Sequence, residues 1–199
     1  PMGIGLSVLA DPIIRLLYSD VHESGPMLLF ALGFASVFVC MYLMSTAVLQ
    51  AAGKEKLTLI SIVIGGAVKI AVNYVLVGNP DINIYGAPIG TIACYFSMCA
   101  MNYVFMCRSL DKAPRLSRVL LRPVLATLIM AAVAYGVYLL MSGILAPTGR
   151  LSTALDLCVA IAAAVIAYAV FAIKLRAITA EDMTLIPKGD KIAKLLHMK

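Results

Sequence analysis

A lysine in the middle of an apolar segment is the residue of this sequence that is best placed to do chemistry. Lys69 lies in the apolar run 57–78, twelve residues after Leu57 and nine before Gly78. At about 1.5 Å per residue, it is roughly 13–18 Å from either end of the predicted helix. A lysine at the centre of a membrane-spanning helix costs on the order of 3 kcal/mol. Water or a partner group must therefore compensate for its charge.

The polar and small residues of the same run fall on one side of the predicted helix. At about 100° per residue they occupy an arc of about 120°, and the opposite face consists of Ile, Val and Leu. This polar stripe comprises Thr58, Ser61, Gly65, Lys69 and Asn73. Two interpretations stay open. Either Lys69 lines a hydrated cavity and attracts an anionic group of a substrate, or it is buried and paired with a carboxylate or carbonyl on a neighbouring helix.

Two further polar residues are candidate site residues. Gln50, at the end of the preceding apolar run, either caps the turn or faces the cavity. Arg15, near the predicted outer surface, binds either a phosphate or a lipid headgroup. The sequence has no Ser/His/Asp or Cys/His set, no paired-carboxylate motif and no metal-ligand spacing, and its cysteines form no CxxC pair. We therefore predict a protein that is not an enzyme, without cofactor or metal site.

Composition predicts the elements that must position these residues. The chain is 62% apolar and 13% charged, whereas soluble domains have roughly a quarter charged residues. A spanning helix needs about 20 apolar residues, and five runs satisfy this: 27–51, 57–78, 86–107, 119–142 and 152–173. The predicted fold is all-α, a polytopic bundle of transmembrane helices that are in contact with membrane lipids.

The remaining segments divide the chain further. Residues 1–18 are interpreted as the end of a truncated spanning helix, or alternatively as a re-entrant or interfacial segment. Residues 19–107 hold three spans, 108–118 a basic loop, and 119–174 two additional spans. The basic tail 175–199 lies on the anionic inner leaflet or is unstructured.

Lysine and arginine placement predicts the orientation. Alternating the loops leaves only Arg15 and Arg150 on one side, so the loops 53–56 and 108–122 and the C-terminus are predicted to be cytoplasmic. The other side collects Lys54, Lys56, Arg108, Lys112, Arg115, Arg118, Arg122, Lys174, Arg176, Lys188, Lys191, Lys194 and Lys199. No basic stripe is interleaved with aromatic residues, so no nucleic-acid partner is predicted.

Several motifs occur together in order along the chain. They are Ala10-Asp11-Pro12-Ile13-Ile14-Arg15, Leu49-Gln50-Ala51-Ala52-Gly53-Lys54, Lys69-Ile70-Ala71-Val72-Asn73-Tyr74, Asn83-Ile84-Tyr85-Gly86-Ala87, and Ile178-Thr179-Ala180-Glu181-Asp182. This set resembles the polysaccharide-biosynthesis branch of the MOP flippase superfamily, most of all its stage V sporulation protein B type.

The resemblance implies a MATE-like fold of about fourteen helices in two six-helix lobes plus two extra helices. This chain would be its C-terminal portion, and its partner would be the missing N-terminal lobe. The implied function is alternating-access translocation of undecaprenyl-pyrophosphate-linked saccharides across the bacterial cytoplasmic membrane. Lys69 would attract the pyrophosphate, with Asn73, Gln50 and Arg15 as polar lining.

Two other functions stay open. A cation-coupled multidrug extruder of the same superfamily needs acidic residues within its spans, and here Asp156, near the end of a span, is almost alone. A structural membrane subunit would oligomerise through the small residues of the run 86–107.

Overall fold

The computed structural model describes residues 1–18, 24–109, 116–144 and 150–175 of the 199-residue chain, and the regular elements in these ranges are all helices. Their bounds are α1 Met2–Val8, α2 Ala10–Leu17, α3 Ser24–Ala51, α4 Glu55–Val77, α5 Gly86–Ser109, α6 Leu116–Ile144 and α7 Arg150–Lys174, with a 3₁₀ turn at Asn83–Tyr85.

Five of these helices, α3 to α7, are long and apolar enough to cross a membrane. They coincide with the five predicted spans to within a few residues, and the predicted all-α polytopic bundle is confirmed. The tail 176–199 and most of the basic loop 108–118 lie outside the described residues.

The helices form two compact units, one holding α1 to α5 and the other α6 and α7. In the first unit α5 packs against both α3 and α4, and α3 also packs against α1 and α2. In the second unit α6 and α7 pack along each other as a helical hairpin. Small and apolar residues form the buried face of this hairpin: Ala126, Met130 and Ala134 on α6, and Leu157, Ala160, Ala164 and Ala172 on α7.

The N-terminal segment folds as two short helices, each too short to span a membrane alone. Close approach of small residues joins α1 to α3, because a Cβ atom on Gly33 would lie 2.7 Å from the carbonyl oxygen of Gly3. The hydroxyl of Ser7 adds a hydrogen bond of 2.8 Å to the carbonyl oxygen of Phe30. The assignment of this segment to a truncated span or to a re-entrant segment stays a prediction.

A glycine ends α3 and reverses the chain into α4. Gly53 has a φ of +69°, a left-handed conformation that glycine adopts without steric cost. The N–H of Gly53 donates to the carbonyl of Gln50, and the N–H of Lys54 donates to the carbonyl of Leu49, both at 2.9 Å. These two bonds form a Schellman motif, which satisfies carbonyl groups at the end of the helix.

A buried asparagine connects the three spans of the larger unit. Asn102 on α5 is completely buried, and its Oδ1 accepts a hydrogen bond of 2.6 Å from the hydroxyl of Ser61 on α4. Its Nδ2 donates to the hydroxyls of Ser45 and Thr46 on α3, each at 3.1 Å. Hydrocarbon offers no competing water, so these bonds fix how α3, α4 and α5 meet.

Replacing Asn102 tests whether its hydrogen bonds hold α3, α4 and α5 together. We expect Asn102→Ala to lower the free energy of unfolding in detergent micelles by about 1–2 kcal/mol, because the hydrogen bonds that join Asn102 to hydroxyls on α3 and α4 are lost. The matched control is Thr91→Ala on the same helix, because the exposed Thr91 hydroxyl donates to the carbonyl of Ala87 in its own helix. Equal stability of the two variants would contradict the role given to Asn102.

Candidate functional site

The polar stripe of α4 faces α5. The two helices run antiparallel. Successive residues of the stripe after Thr58 therefore lie opposite every fourth residue of α5, counted back from Asn102. The pairs in contact are Ser61 with Asn102, Gly65 with Met98, Asn73 with Gly90, and Leu76 with Gly86. The same spacing places Lys69 level with Cys94. Small residues on α5 thus let the polar face of α4 approach closely.

Lys69 lies about midway along the contact between α4 and α5. It is half-buried, fourteen residues from the start of α4 and eight from its end, or about 21 and 12 Å along the axis. Within the described residues, no carboxylate lies within ion-pair distance of Lys69. The paired-carboxylate alternative therefore finds no partner in the described part of the chain.

Asn73 lies one turn beyond Lys69 on the same face. Its side-chain amide rests directly over Gly90, where any Cβ atom would overlap it. Its Oδ1 is buried and has no hydrogen-bond partner among the described residues. Lys69 and Asn73 therefore place a cation and an unsatisfied amide oxygen next to each other within the membrane-spanning part of α4.

The other two predicted site residues lie elsewhere. Gln50 is exposed in the last turn of α3. Arg15 is exposed on α2, and its Nε bonds to both carboxylate oxygens of Asp11 at 2.9 Å. The neighbouring residue Ile14 packs against Gly25, at the opposite end of α3 from Gln50. Because 25 residues of helix span about 38 Å, Gln50 and Arg15 do not share one small binding site.

A shallow depression of about 570 Å³ lies at the end of α4 nearest Lys69, and its lining residues are Tyr74, Val75, Val77, Gly78 and Asn79. Neither Lys69 nor Asn73 lines it. No group of three or more His, Cys, Asp or Glu residues that could hold a metal ion occurs in the part of the chain that the structure describes.

Sequence reasoning missed Asn102. The signal that indicates it is the four-residue spacing along α5, where Gly86, Gly90, Cys94 and Met98 are followed by Asn102. Residues at this spacing lie on one face of a helix. An amide on the face that packs against the polar stripe is therefore expected to bond with it.

Comparison with known proteins gives one relative. The chain is 27% identical over 197 residues to the uncharacterized membrane protein YabM of Bacillus subtilis. The alignment covers 98% of this chain and 36% of YabM, so the chain spans about a third of that protein's length. No family model and no solved structure matches the sequence. The chain is thus a multi-pass membrane protein that is similar to another of uncharacterized activity.

The close contact between α4 and α5 can be tested by adding single methyl groups. A Cβ atom on Gly86 would lie 2.7–2.9 Å from Leu76 Cβ and from backbone atoms of α4. We expect Gly86→Ala to lower the free energy of unfolding by about 1–3 kcal/mol, because backbone cannot move aside as a side chain can.

The control is Gly66→Ala, where a Cβ atom meets nothing within 4 Å. This change is expected to leave stability unchanged or raise it by up to about 1 kcal/mol, since alanine is the better helix former. Titration of both variants with a denaturing detergent gives the comparison. A Gly86→Ala variant as stable as Gly66→Ala would show that α4 and α5 pack differently.

Proposed function

We propose that this chain is the C-terminal part of a flippase for lipid-linked saccharides in the bacterial cytoplasmic membrane. The observation that carries the proposal is the Lys69 ammonium, which lies within a spanning helix with no acidic partner among the described residues. Ionisable groups at this depth are costly and mark substrate or ion pathways. A site that keeps an uncompensated cation is suited to an anionic ligand.

A pyrophosphate headgroup has the chemistry that this site needs. Phosphate oxygens accept charge-assisted hydrogen bonds from an ammonium group, and such bonds are about twice as strong as neutral ones. Asn73 lies one turn from Lys69, so its amide can bond to the sugar or phosphate part of the same headgroup. In this proposal Gln50 and Arg15 act separately, as contacts near the two membrane surfaces.

For transport, Lys69 must be accessible to the headgroup first from one side of the membrane and then from the other. By the family resemblance, an N-terminal lobe faces this chain across a central cavity, and the two rock to open it alternately. The C-terminus then lies in the cytoplasm, as the distribution of lysine and arginine predicts. The substrate is an undecaprenyl-pyrophosphate-linked precursor of peptidoglycan or another polysaccharide.

The packing of α5 argues against a purely structural subunit that assembles through its small-residue face. Gly86, Gly90 and Cys94 are buried, and that face is covered by α4 of the same chain. An oligomer built on this face would first have to displace α4 and break the bond between Ser61 and Asn102.

The test is Lys69→Ala in the complete protein that carries this chain. We expect translocation of the lipid-linked precursor to fall roughly 10- to 100-fold, because a charge-assisted bond contributes about 1.5–3 kcal/mol. The measurement is the fraction of precursor that reaches the outer leaflet, at equal amounts of inserted protein.

Lys69→Arg keeps the charge and is expected to retain most of the transport. Lys54→Ala, in the exposed turn between α3 and α4, is the matched control for loss of a lysine and is expected to transport normally. Wild-type translocation by Lys69→Ala would refute the proposal.

A further inference from the structure

Among the described residues, three buried side-chain oxygens have no hydrogen-bond partner: Oγ1 of Thr58, Oδ1 of Asn73 and Oδ1 of Asp156. Thr58 and Asp156 are buried as whole residues, with 3% and 2% of their surface exposed. Asn73 differs, because the residue is partly exposed although its amide oxygen is buried. The amide nitrogen of Asn73 is therefore the polar end that a ligand can reach.

Gly90 on α5 determines which end of this amide is accessible. A Cβ atom on Gly90 would overlap Asn73 Oδ1 and would lie 2.9 Å from Cγ, but it would lie 3.6 Å from Nδ2. The oxygen thus rests in the space left by the missing side chain, where it can accept weak Cα–H hydrogen bonds. The reverse orientation would bring the amide N–H groups against Cα–H groups, which accept no hydrogen bond. Gly90 therefore holds the amide with its oxygen towards α5 and its N–H groups away from it.

Lys69 lies on the same side of α4 as this amide. Gly66, Lys69 and Asn73 follow the spacing i, i+3 and i+7, which places them on one face of a helix. At Gly66 an added Cβ atom would meet nothing within 4 Å, so the face is open beside the two polar residues. An ammonium group has donors and no acceptor, and the same holds for the nitrogen end of an amide. This donor face of Gly66, Lys69 and Asn73 therefore offers a ligand a positive charge and N–H donors.

We propose that Gly90 is a specificity-determining residue, which makes the donor face selective for oxyanions by holding the Asn73 oxygen against α5. The inference rests on the proposed function and deepens it, because it concerns the Lys69 site. The group recognised is the pyrophosphate of the lipid-linked substrate, whose oxygens accept hydrogen bonds from both side chains. The saccharide is not required for this contact. A metal cation does not suit the donor face, since hard cations take oxygen ligands.

Binding of undecaprenyl pyrophosphate, which carries no saccharide, tests the proposal. The complete protein that carries this chain is placed in nanodiscs, and native mass spectrometry measures the fraction that has bound the lipid. We expect the wild type to prefer undecaprenyl pyrophosphate over undecaprenol, which lacks phosphate, by at least about tenfold. Asn73→Asp keeps the shape of the side chain but replaces its donor by an acceptor, and this preference is expected to fall by about tenfold or more.

A double-mutant cycle tests the role of Gly90. We expect Gly90→Ala and Asn73→Ala each to lower the preference for undecaprenyl pyrophosphate over undecaprenol by about tenfold, since each removes the amide donor from the donor face. The variant with both changes is expected to resemble Asn73→Ala alone, because it has no amide for Gly90 to orient. Gly136→Ala on α6, where a Cβ atom meets nothing within 4 Å, is the matched control and is expected to keep the wild-type preference. Circular dichroism checks that each variant keeps the helical content of the wild type.

Gly90→Ala with the wild-type preference, or a double variant in which the two losses multiply, would overturn the inference. Wild-type preference in Asn73→Asp would also overturn it, and that result does not depend on the folding of Gly90→Ala. If Lys69→Ala loses binding while Gly90→Ala keeps the wild-type preference, this inference fails and the proposed function stands. If the preference depends on Gly90 as expected but the complete protein does not translocate the lipid-linked precursor, the proposed function fails and the oxyanion selectivity stands.

Discussion

The contact between α4 and α5 determines where the polar groups of the larger unit lie. Hydrocarbon provides no hydrogen-bonding partner, so each polar side chain on a spanning helix must meet protein or a water-filled space. Gly86 and Gly90 on α5 make room for one end of this face of α4, and Gly65 on α4 makes room for Met98 of α5. A larger residue at position 86 would push against the backbone of α4, and one at position 90 would overlap the side-chain amide of Asn73.

The two ends of this contact differ in how well their polar groups are satisfied. At the end near the start of α4, Ser61 bonds to Asn102, which in turn bonds to Ser45 and Thr46 on α3. Two to three turns further along α4, Lys69 has no acidic partner and Asn73 Oδ1 has no donor within the described residues. The paired end stabilises the helix arrangement, and the unpaired end is the place that the proposed function assigns to an anionic ligand.

The sequence predicted the helices well because the signal is physical and local. Each of the five spans is a predominantly apolar run of about 20 residues or more, and turns such as the one at Gly53 separate them. The polar stripe on α4 was also predictable, since it follows from helical periodicity alone. The surroundings of this stripe were not predictable, because a neighbouring helix of small residues and a water-filled cavity both favour the same polar pattern on α4. The role of Asn102 and the burial of Asp156 depend likewise on the face that a second helix presents.

The four-residue repeat between α4 and α5 has a consequence for sliding motions. Gly86 and Gly90, four residues apart on α5, would let one helix shift along the other by four residues, about 6 Å, with room left for its neighbour. Such a shift would separate Ser61 from Asn102 and leave the buried Oδ1 of Asn102 without this donor. Asn102 therefore favours a single register of α4 on α5, and this register sets the level of Lys69 relative to α5.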